Sequence, residues 1–197
     1  MIKEITPNDL KTIYLNIDSV FLSERRMPKQ VFKDVLFTLV FDLEDFMKYG
    51  LEDIIGLSKL DQAKKLIRLP CIGVPANIQM MELNLNEKVT DFSRNLKELW
   101  EDGTLFLLLD YGCLFNDQKK WIIHFSIELE IVVLGVFEEN KNVNSIIKAT
   151  PYTKETFLKE YENFPEEYLN LSHKAAEKEA RIMNEAVVYP MIKNYFD

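Results

Sequence analysis

WIIHFSIELEIVVLGVF, residues Trp121 to Phe137, is the stretch on which the fold turns. It is the longest passage with a two-residue period. Trp121, Ile123, Phe125, Ile127, Leu129, Ile131 and Val133 form one set; Ile122, His124, Ser126, Glu128, Glu130 and Val132 form the other. Successive side chains of a strand point to opposite faces. The spacing therefore predicts one long central strand over about 121–134, with one face buried and a polar centre on the other. Its β-branched and aromatic residues suit a pleated, half-buried surface.

Working outward, Leu105 to Tyr111 is short and apolar, and NDQKK at 116–120 is a polar turn. Segments 105–115 and 121–134 are thus expected as hairpin partners. Another strand is expected at about 77–84. Asn86 can cap a helix over 87–101, with Val89, Phe92, Leu96, Leu99 and Trp100 as its apolar stripe.

The first seventy residues read as helical. Thr6-Pro7-Asn8-Asp9 opens a helix over about 7–22. The segment 28–49 carries apolar residues at helical spacing, although VLFTLVF at 35–41 also suits a buried strand; length favours helix. Leu51 to Gly56 suggests a short helical turn. Ser58 is placed to cap a further helix, with Leu60, Ala63 and Ile67 inward and Asp61 paired to Lys65, ending at Pro70. Glu138 to Asn144 is polar and is expected as a surface loop. Later, Thr153 caps a helix with Phe157, Leu158 and Tyr161 inward. A last helix runs from about Ser172 to Tyr189 on Ala176, Ala180, Met183 and Val187, and Pro190 kinks or breaks it.

Grouped strands flanked by helices imply an α+β fold. The expectation is a single α+β domain over 1–197, with a small antiparallel or mixed sheet packed by several helices. Residues 1–70 would be a helical portion packing on the sheet-containing 71–197.

Composition narrows function by exclusion. The chain has 197 residues, 47% hydrophobic, with a formal net charge of -8. That balance argues against nucleic acid or an anionic membrane as partner, since both require clustered positive charge. No apolar run approaches the roughly 20 residues of a membrane span, and the N-terminus lacks a signal core. A cytoplasmic location is expected. The cysteines, Cys71 and Cys113, form no metal-type pair and are expected as free buried thiols. The six glycines fall singly and write no nucleotide-binding loop, and no nucleophile-elbow pattern occurs. No cofactor is implied and no metal site is assigned. His173 and Glu177 lie one helical turn apart, a spacing common by chance.

The candidate ligand-binding residues are His124, Ser126, Glu128 and Glu130 on the polar strand face, with Asp110 at the end of the neighbouring strand. Alternate strand residues lie roughly 6–7 Å apart. Adjacent members can therefore share one ligand, and a carboxylate pair can hold a cation or act as acid and base. An antiparallel sheet with one wet face would show the same four polar residues without any site. Asp110, before Tyr111-Gly112, also suits a turn.

Two functions follow. The first is a soluble, intracellular, non-catalytic acidic module that binds another protein with a basic surface. In size and acidity the chain resembles small cytoplasmic immunity or regulatory proteins, a resemblance that rests on no particular residue. The alternative is a small-molecule- or metal-binding protein or a hydrolase-like enzyme using the polar face of 121–134.

Overall fold

The structure is a computed structural model and describes residues 2–4, 12–13, 17–22, 25–70, 81–84, 112–138, 142–161 and 173–196. Within the organising stretch, the expected single strand is two. Strand β6 is Trp121–Ser126 and β7 is Ile131–Val136, paired antiparallel with Ser126 opposite Ile131. The four residues between them, 127–130, turn the chain. Glu130 closes the turn at φ 53, and its N–H donates to the Ile127 carbonyl at 3.0 Å.

This turn reverses the phase of the alternation. Opposed residues share a face, so Ile131 and Val133 lie with Ile122 and His124, whereas Val132, Leu134 and Val136 lie with Trp121, Ile123 and Phe125. All twelve residues of the two strands are buried. No face of the hairpin is wet. Each fully buried Val, Ile or Phe side chain here contributes about 1.5–3 kcal/mol of hydrophobic stabilisation.

The sheet is larger than expected. Among the described residues, seven strands run in the order β1-β4-β3-β5-β6-β7-β2, every neighbouring pair antiparallel. The remaining strands are β1 (Ile2–Glu4), β2 (Phe37–Asp42), β3 (Lys65–Pro70), β4 (Met81–Asn84) and β5 (Gly112–Asn116). Among the described residues, the first seventy thus supply three strands to the sheet.

Residues 28–49 resolve in favour of the strand alternative at 37–42. Helix α1 follows directly at Leu43–Leu60. Asp42 ends the strand in extended geometry and caps the helix, its Oδ1 accepting from Asp45 N at 2.8 Å. Ser58 does not start another helix: it and Gly50 lie on the buried stripe of α1 with Leu43, Phe46, Asp53, Ile54 and Leu57. The expected helix before Pro70 is strand β3. Asp61 is buried at the end of α1 and accepts from Asn116 Nδ2 at 2.8 Å, so it is not an exposed partner of Lys65.

Helical elements cover both faces. On one face lie α1, the short helix α2 (Val143–Ile146) and Ala149, packed against Phe41, Leu66, Leu114, Trp121 and Val132. On the other lie Ile17, Phe21 and Phe32, helix α3 (Lys154–Tyr161) and the C-terminal helix, packed against Val40, Leu69, Cys113, Ile122 and Val133. Gly135 belongs to this second face, where an added Cβ would stand 2.8 Å from the Phe32 ring. The result is an α+β fold whose strands β5, β6 and β7 are enclosed between two layers.

Thr153 caps α3 as expected: Thr156 N donates to its Oγ1 at 3.1 Å, and Thr153 N donates to Thr156 Oγ1 at 2.8 Å. Phe157 and Tyr161 are buried. The C-terminal helix comprises α4 (His173–Met183), a π-helical turn (Asn184–Val188) and α5 (Tyr189–Tyr195). Pro190 lacks the N–H of a regular helix, and the wide turn before it absorbs that irregularity without ending the helix. The expected loop at 138–144 gives way to α2 from Val143. Of the expected helix over 7–22, residues 12, 13 and 17 are helical and 18–20 form a turn. The expected helix over 87–101 lies outside the described residues.

Candidate functional site

His124 sits mid-strand on β6, opposite Cys113 on β5 and Val133 on β7. It is 1% exposed, with the Phe21 ring centred 5.9 Å from its own. Burial pushes its imidazole down to about 3, and the charge of Arg26 adds to the effect. The ring is therefore neutral at physiological pH. Cys113 is buried, as expected; Cys71 lies outside the described residues.

The four strand-face candidates do not meet. Ser126 is buried, and its Oγ accepts from Leu129 N at 3.3 Å, which helps form the turn. Glu128 and Glu130 stand on that turn and are exposed. The alternation that grouped them crosses the point where the chain reverses. Two members consequently belong to the core and two to the surface. Asp110 lies outside the described residues, as does the side chain of His173. Among the described residues, no group of three or more His, Cys, Asp and Glu is placed to hold a metal ion.

The fold instead assembles a group of carboxylates that sequence spacing did not reveal. Asp42 comes from the β2–α1 junction, Asp45 from the first turn of α1, Glu130 from the β6–β7 turn and Glu160 from α3. Their charges reach two tyrosines, Tyr152 and Tyr161, whose rings are 6.2 Å apart. Both hydroxyls are pushed up, first by burial and then by these charges. Asp42 and Glu160 act on both tyrosines, Asp45 on Tyr152 and Glu130 on Tyr161. Glu130 and Glu160 are exposed, and Asp42, Asp45 and Tyr152 are half-buried.

Backbone contacts hold this end of the sheet in place. Leu43 N donates to the Glu130 carbonyl at 2.9 Å and Tyr152 N to the Val40 carbonyl at 2.7 Å. The Tyr161 hydroxyl donates to the Leu129 carbonyl at 3.1 Å, and Asp45 Oδ2 accepts from Thr150 N at 3.1 Å. Lys48 lies 3.6 Å from Glu44 and 3.9 Å from Asp45. The four carboxylates give this end of the sheet a negatively charged rim beside the Tyr152–Tyr161 pair. Such a rim attracts cations and basic side chains.

Asp53 is the buried acid of α1. Its carboxylate accepts from Lys148 N at 3.0 Å and Ala149 N at 3.2 Å, tying the segment after α2 onto α1. Burial raises its pKa, and the two amide donors oppose that rise. Its role is structural.

Among the described residues, no helix is long and apolar enough to cross a membrane. Comparison with family models, with curated proteins and with solved structures gives no match.

Proposed function

We propose that this protein is a non-catalytic acidic module that binds a protein partner through a basic surface, in the manner of a regulatory or immunity-like protein of the cytoplasm. One observation carries the reading: Asp42, Asp45, Glu130 and Glu160, from three separate parts of the chain, bring their charges to the Tyr152–Tyr161 pair, at the end of the sheet where Leu43 N donates to the Glu130 carbonyl and the Tyr161 hydroxyl to the Leu129 carbonyl. A formal net charge of -8 supports it by speeding encounter with a positive partner. The half-buried tyrosine supplies apolar area and a ring face for Lys or Arg.

A lysine-rich peptide tests the surface directly. NMR shifts on titration are expected to concentrate at 42–45, 128–130 and 152–161, and to fade with added salt. The double variant E130K/E160K should weaken binding by about tenfold, since two rim charges reverse. Shifts scattered over the molecule, or equal binding by the variant, would overturn the proposal.

A further inference from the structure

We draw no further inference here: the strongest candidate, the open groove along helix α4 at Lys174, Lys178 and Arg181, is lined among the described residues by that helix alone, and nothing in the structure shows what covers it.

Discussion

The two tight turns that flank β6 are built alike and look nothing alike in sequence. In the β5–β6 turn, Asn116 Oδ1 accepts from Gln118 N and Lys119 N, both at 3.0 Å, and Lys119 takes φ 57. In the β6–β7 turn, Ser126 Oγ accepts from Leu129 N, and Glu130 takes φ 53. Each uses a side-chain oxygen at the end of the incoming strand and a left-handed residue at the exit. The first announces itself through Asn, Asp and Lys. The second contains Ile127 and Leu129, which are partly buried against the two opposite cores. Turn composition is polar because turns are usually wet. Where a turn is packed on both sides, alternate residues are apolar and continue the pattern of the strand.

The sharpest way to break this comparison is to charge both faces of β7. Val132 and Val133 point to opposite layers, and both are fully buried. Val132→Asp and Val133→Asp should each destabilise by several kcal/mol, on the order of the cost of an unpaired buried charge. Thermal unfolding of both variants checks this. A tolerated aspartate at either position would mean one wet face.

The next effect is in pH. Burial holds the His124 imidazole down to about 3 in the fold, against an ordinary value of 6.5. Between these values the unfolded chain binds the extra proton. The contribution of the neutral histidine is therefore complete above pH 6.5 and declines as pH falls, by up to ~1.4 kcal/mol per pH unit. Urea unfolding of wild type and His124→Leu between pH 7 and about 5 isolates this group, because the ordinary carboxylate values lie below that window. The leucine variant should show the shallower slope, and parallel curves would contradict burial.

The turns themselves come next. Asn116→Ala removes the side chain's contacts to two turn amides and to buried Asp61, at a cost of about 1–3 kcal/mol. Ser126→Ala removes one bond and should cost about 1 kcal/mol or less. Equal losses in denaturant midpoint would dissolve the distinction between the wet turn and the packed one. The smallest effect is a gain. Lys119→Gly and Glu130→Gly should each stabilise by up to about 1 kcal/mol, because glycine accepts the left-handed conformation without a Cβ clash. A loss of stability at both sites would show that the side chains matter more than the backbone.

These residues also show where the sequence was legible. Helix α3 declared itself through the Thr153 cap and the Phe157 and Tyr161 spacing, and the C-terminal helix through Ala176, Met183 and Val187. Both present one buried face and one wet face, so their periodicity survives. Helix α1 was obscured because its buried stripe includes Gly50, Asp53 and Ser58, which do not register as apolar. Strand β3 was obscured because residues 66–69 are all buried, with Arg68 among them, so no alternation remains. The candidate site was illegible for a different reason. Its carboxylates span residues 42 to 160 and meet only through sheet pairing, so no local spacing connects them. His124, Ser126, Glu128 and Glu130 had the opposite property, close in sequence and divided by a turn.

The most direct test is a search for cross-strand NOEs between Phe125 and Val132 and between Ile123 and Leu134. The hairpin places each pair directly opposite, and the account predicts strong cross-peaks for both. In one continuous strand Phe125 and Val132 would be roughly 23 Å apart at about 3.3 Å per residue. Absence of both cross-peaks, with extended-chain sequential contacts running unbroken through 127–130, would contradict the hairpin. It would also return Glu128 and Glu130 to the same strand as His124.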